Sequence, residues 1–94
     1  MIKDGRRAGS RTVVVHAQSS GVGAPRLGLV VSKGVGGSVV RHRVSRRLRG
    51  IVAGLIGDLP PGLTLIIRAL PEAATASSTE LRADLGSTLR RVLG

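Results

Sequence analysis

Three short runs along this chain have the apolar pattern of strands. Thr12-Val13-Val14-Val15-His16 is compact and β-branched, which predicts a strand within Arg11 to Gln18. The seven residues from Ser19 to Pro25 suit a hairpin turn and are too few for a crossover helix, so the next strand should run antiparallel. That strand covers Arg26 to Ser32, where Leu27, Leu29, Val30 and Val31 make a mostly apolar run suggesting burial on both faces. Leu63 to Leu70, closed by Pro71, is a third strand of central character.

Between the second and third strands the apolar period lengthens to that of a helix. At about 100° per residue, Val40, Val44, Leu48, Ile51, Val52 and Leu55 fall within one arc of about 120°, which must face a sheet. Ser38 is placed to cap this helix, and Gly36 and Gly37 before it are expected to take unusual backbone angles. Gly54, Gly57 and Pro60-Pro61-Gly62 end it. Ser77 and Glu80 have the spacing of a capping box for a second helix, whose inner face is Leu81, Leu85, Leu89, Val92 and Leu93. Met1 to Ser10 follow neither period and read as a loop. The order strand, strand, helix, strand, helix predicts an α+β fold, a two-layer sandwich of helices on a small mixed sheet. A chain of 94 residues holds one such domain, covering 1–94.

Charge changes this picture from scaffold to surface. Fifteen Lys and Arg against five Asp and Glu give a formal net charge of +10, which makes nucleic acid the first partner to consider. With 41% hydrophobic residues in ordered runs, the chain is no disordered basic tail. Five of the arginines, Arg41, Arg43, Arg46, Arg47 and Arg49, lie on the first helix within nine residues. His42, Arg46 and Arg49 lie opposite its apolar arc, Arg43 and Arg47 lie on the flank, and Arg41 sits at the arc's edge, where its side chain must escape past the sheet edge. A solvated face balanced by salt bridges would need acids, and none occurs between Asp4 and Asp58.

Other chemistries are excluded in turn. Without cysteine there are no disulfides or thiolate metal sites, and two histidines do not make a zinc centre. No apolar run approaches the roughly 20 residues that span a bilayer, and the N-terminus lacks a secretory pattern, so the chain reads as cytoplasmic. The turn Gly34-Val35-Gly36-Gly37-Ser38 before a helix looks like a phosphate-binding loop, but it has neither the Gly-Lys-Ser/Thr of a P-loop nor the third glycine of a dinucleotide fold. The carboxylates are scattered, Ser45 lacks a nucleophile's surroundings, and His16 reads as a half-exposed sheet residue, so no catalytic constellation stands out. Absence of Phe, Tyr and Trp removes the usual stacking platforms for single-stranded bases.

Arg26-Leu27-Gly28-Leu29-Val30-Val31-Ser32-Lys33, then Val35-Gly36, then Arg41-His42-Arg43-Val44-Ser45-Arg46-Arg47-Leu48-Arg49 resembles the bacterial ribonuclease P protein component. The resemblance extends along nearly the whole chain. It implies a left-handed βαβ crossover and a basic subunit that helps a catalytic RNA remove the 5′ leader of precursor tRNA. Magnesium would be held mainly by the RNA, with no metal ligand or catalytic residue in the protein. It also implies an RNA-binding group of Lys33, Arg41, His42, Arg43, Arg46, Arg47 and Arg49, and a leader cleft on the sheet with Arg11, Thr12, Val14 and His16 as candidates. Ser38 stands where the family usually has Ala, and Ser45 where Lys is commoner. Family members usually begin with a basic, aromatic-containing helix, of which Met1 to Gly5 resemble only the end, so that helix is expected to be missing or truncated, through either a misplaced start codon or a real truncation. The alternative from composition alone is a structural RNA-binding protein of the ribosome or translation apparatus.

Overall fold

The computed structural model describes residues 5–19, 23–55, 59 and 61–93. Its strands are β1 (Arg6–Gly9), β2 (Val13–Ser19), β3 (Arg26–Val30) and β4 (Leu63–Ala69); its helices are α1 (Ser38–Leu55) and α2 (Ser78–Leu93). Single 3-10 turns at Lys33–Val35 and Pro71–Ala74 lead toward the two helices. Met1 to Asp4, the middle of the turn at Ser20 to Val22, and the helix-stop residues Gly57 and Pro60 lie outside the described residues.

The four strands form one mixed sheet in the order β1-β2-β4-β3. β1 and β4 run antiparallel to β2, whereas β3 is parallel to β4 and reaches it through α1. Period-two alternation separates the faces of the central strands. Val13, Val15 and Ala17 of β2 lie opposite Ala69, Ile67 and Leu65 of β4, all buried on the helix-covered side. One row crosses the whole sheet on that side, Ala8, Val15, Ile67 and Leu29. α2 packs over β1 and β2 with Leu81, Leu85, Leu89 and Val92 buried, and α1 lies beside α2 and against both 3-10 turns. Val44, Leu48, Ile51 and Val52 bring the apolar arc of α1 into the same core, with Val40 packed at its margin. Complete burial of a side chain such as Leu48 stabilises the fold by about 1.5–3 kcal/mol, which offsets like charge gathered on the other side of α1.

Four expectations are corrected. Arg6–Gly9 is a strand rather than loop: only Ala8 in it is buried, so no alternation marks it in the sequence, and it is its ladder with β2 that makes it a strand. Besides pairing with β2, it is held by α2, as Arg91 Nη2 donates to the Gly9 carbonyl (2.7 Å) and Arg6 Nη1 to the Val92 carbonyl (3.5 Å). β2 and β3 do run in opposite directions, but they form no hairpin, because β4 lies between them. β3 is not buried on both faces; it is an edge strand, with Leu27 49% and Val30 37% exposed, since helices cover one side of the sheet only. Finally, the first bond of α1 runs from Arg41 N–H to the Gly37 carbonyl (2.9 Å), so Gly37 is the cap and Ser38 the first helical residue.

Of the two glycines before α1, Gly36 carries the conformational demand. Its φ of 156° and ψ of −170° are close to glycine-only, and a β-carbon there would meet Val40 Cγ1 at 2.9 Å. Gly37 lacks a positive φ and has nothing within 4 Å of a β-carbon. Gly36→Ala is therefore expected to cost about 1–3 kcal/mol in urea denaturation, whereas Gly37→Ala, a change at a cap, costs under about 1 kcal/mol.

The capping box of α2 forms as the sequence predicts. The Ser77 N–H donates to Glu80 Oε1 (2.9 Å) and the Glu80 N–H to Ser77 Oγ (3.1 Å), while Arg11 Nη2 reaches Glu80 Oε2 at 2.6 Å. The Ser77 backbone bond, then the Ser77 side-chain bond, then the Arg11 charge lower the Glu80 pKa. A lowered carboxylate pKa contributes stability above the unfolded value, and that stability is lost as pH falls through the folded value. Glu80→Gln is thus expected to reduce the acid-side loss of stability, read as a shallower fall of melting temperature on acidification below the ordinary carboxylate range.

Candidate nucleic-acid interface

α1 distributes its basic residues around three directions. Its outward face carries His42, Arg46 and Arg49, all exposed, with Lys33 exposed on the turn leading into the helix. Arg43 and Arg47 lean toward the segment before α2, where Arg43 Nη2 donates to the Ala74 carbonyl (3.3 Å) and Arg47 Nη1 to the Ala76 carbonyl (3.4 Å). Arg41 goes the other way, into a groove with Leu29, Val31, Ser38, His42 and Ser45 at the β3 edge. It does leave the apolar arc past the sheet edge, as its place on the helix requires.

Arg41 is half-buried, and its Nε is enclosed without a hydrogen-bond partner. A buried donor left unmade costs on the order of 1–3 kcal/mol, so an acceptor entering the groove recovers that loss as well as the charge attraction. None of the α1 arginines forms an ion pair with a described carboxylate; the ion pair among the described residues is Arg11 with Glu80. Among the described residues, the solvated, acid-balanced reading of the strip therefore lacks its acids in space as well as in sequence.

The four cleft candidates do not share a face. Arg11 is bound to Glu80 on α2, and Thr12 is fully buried, its Oγ1 donating to Asp84 Oδ2 at 2.5 Å. Both belong to the helix side, because the chain bends at residues 11 and 12 before β2 begins. Val14 and His16 do lie on the open side, Val14 buried beside Gly9 and His16 partly exposed. There Arg7, His16, Ile66 and Gly28 form one row across the sheet. Ile66 reaches over Gly28, where a β-carbon would meet its Cδ1 at 2.7 Å. A concavity around this row includes Arg6, Arg7, His16, Gln18, Thr64 and Ile66. Sequence reasoning missed Thr64, Ile66 and Arg68, although their even spacing opposite Leu63, Leu65 and Ile67 carried the signal. Arg6 and Arg7 gave no such signal.

Among the described residues no three His, Cys, Asp or Glu side chains gather into a metal-binding group. Glu80 is engaged by Ser77 and Arg11, and Asp84 by Thr12.

The family model for ribonuclease P matches residues 1–93. The ribonuclease P protein component of Corynebacterium diphtheriae is 48% identical over 98 residues, covering 97% of this chain and 82% of its own length. That of Rhodococcus opacus is 49% identical over 98 residues, with 97% and 78% covered. Among solved structures, the RNase P protein of Staphylococcus aureus has a TM-score of 0.77 at 23% identity, over 96% of this chain and 84% of that one. The RNase P protein of Thermotoga maritima gives 0.76 at 24%, over 96% and 86%. At such identities the structural likeness bears on the fold alone.

Exposed and half-buried cations are expected to respond differently to substitution. If Arg46 and Arg49 each meet one phosphate, replacing either by Ala lowers the slope of log affinity for RNA against log salt by about one. Arg46→Lys is expected to keep most of the affinity, whereas Arg41→Lys loses nearly as much as Arg41→Ala, because an ammonium supplies no Nε–H within the groove. RNA titrations at several salt concentrations check both.

Proposed function

The chain belongs to the ribonuclease P protein family, and we propose that it binds the catalytic RNA and the precursor tRNA and assists removal of the 5′ leader. The observation that carries this reading is the arginine face of α1, exposed and unneutralised by any described carboxylate, in a chain matched to the family from 1 to 93. Guanidiniums donate paired hydrogen bonds to phosphate oxygens, and several on one rigid helix neutralise neighbouring phosphates that would otherwise repel. Lys33, Arg41, His42, Arg43, Arg46, Arg47 and Arg49 are the proposed contacts. Arg43 and Arg47 have a second task, holding α1 to the segment before α2 through the Ala74 and Ala76 carbonyls.

The open side of the sheet is the proposed seat of the single-stranded leader. Arg7 supplies a cation there, while His16 and Ile66 supply the flat and apolar surface that aromatic residues provide elsewhere. Arg11 and Thr12 leave the proposal, being committed to α2. Magnesium stays with the RNA on this reading, and no step of the reaction is assigned to a protein-bound ion. The protein positions substrate and screens charge within the one folded domain. Its proposed compartment is the cytoplasm; among the described residues no helix is long and apolar enough to cross a membrane. The ribosomal alternative finds no support in the family match or in the relatives.

The test is a cleavage time course with precursor tRNA for RNA-free protein, catalytic RNA alone, and both together. The protein alone is expected not to cleave, and both together at near-physiological magnesium to cleave at the mature 5′ end faster than the RNA alone. Arg41→Ala combined with Arg43→Ala is expected to weaken assembly, with much of the loss recovered at raised magnesium, since free cations replace part of the screening. Magnesium-dependent cleavage by RNA-free protein would overturn the placement of catalysis in the RNA.

A further inference from the structure

Val39 stands on the outward face of α1 and is 79% exposed. Its neighbours on that face, three, four and seven positions along the helix, are His42, Arg43 and Arg46. With Arg47 they enclose a shallow hollow. Two of its rim guanidiniums are drawn aside by the Ala74 and Ala76 carbonyls, so they do not fold over the valine. The hollow therefore keeps an open floor of Val39 methyl groups, arginine methylene stems and the His42 ring. A lone exposed valine means nothing by itself, but this one lies among three arginines on a face without a described carboxylate partner.

We infer that this hollow seats one unpaired base of the RNA, resting on Val39 and stacked against the His42 imidazole, with its flanking phosphates on Arg43 and Arg46. The inference rests on the reading of α1 as an RNA interface and adds a base contact to a face otherwise built for phosphate. The surrounding charge selects a polyanion, and the floor selects which part of it enters. A phosphate gains nothing from valine methyl groups, whereas a base stacked on them loses apolar surface to water. Since the chain has no Phe, Tyr or Trp, His42 is the aromatic ring of the hollow, and the guanidinium planes add stacking surface.

Parent protein, Val39→Ser and Val39→Ile are titrated against the catalytic RNA of ribonuclease P at several salt concentrations, and each saturated complex is probed with base-modifying reagents. Val39→Ser is expected to weaken binding about five- to twentyfold at every salt concentration while the log–log slope is unchanged, because the lost contact involves no counterion. Val39→Ile is expected to bind like the parent. One unpaired base protected in the parent and Val39→Ile complexes becomes reactive in the Val39→Ser complex. Equal affinity of Val39→Ser and parent overturns the seat, as does a loss accompanied by a changed slope. Probing of the parent complex is a second, variant-free reading: if every unpaired base keeps its free reactivity, the seat is overturned. Failure of the parent to bind the catalytic RNA overturns the ribonuclease P reading of α1 itself, whereas binding indifferent to residue 39 overturns the base seat alone.

Discussion

Like charges crowded on one side of a helix repel, and α1 can hold five arginines within nine residues only because its opposite side is locked into a core. Val44 and Leu48 are completely buried, and Ile51 and Val52 nearly so. Removing them from water fixes the rotation of the helix about its axis, and rotation decides which arginines face outward. The same packing thus stabilises the fold and aims the interface.

Aim also depends on how the helix begins and what steadies its flank. Gly36 lets the chain turn from Lys33–Val35 into α1 by backbone angles that other residues resist. Arg43 and Arg47 then fasten the helix to backbone carbonyls of the segment before α2. Arg41 is spared from that task and sits with a buried, unmatched Nε at the β3 edge. Arg41 therefore stands in a different chemical situation from Arg43 and Arg47, a separation that helical spacing indicates and that the packing turns into distinct partners.

The second proposed surface exists because two helices cover only one side of a four-stranded sheet. Leaving the other side open exposes polar and basic residues at Arg7, His16, Thr64 and Arg68 with little apolar cost, since Ile66 is partly shielded as it reaches over Gly28. The open side lies across the sheet from the core cluster, so substitutions there can alter binding without disturbing it.

Periodicity by itself determined much of this protein: the β-branched run of β2, the apolar arc of α1, the Ser77–Glu80 capping box and the basic side opposite the arc are all readable because local spacing sets which side chains share a face. Motif order within Arg26 to Arg49 was enough to carry the family resemblance. Only the tertiary structure decided that Arg6–Gly9 is a strand, that β4 separates β2 from β3, and that Arg11 and Thr12 turn away from the open side to Glu80 and Asp84. β1 pairs with nearby β2, but its contacts with α2 and the other outcomes depend on partners distant in the chain, such as Val92, Asp84 or Ile67. Local pattern is blind to such pairings, because a strand or a side chain takes its final partner from the packing of the whole core rather than from its neighbours in sequence.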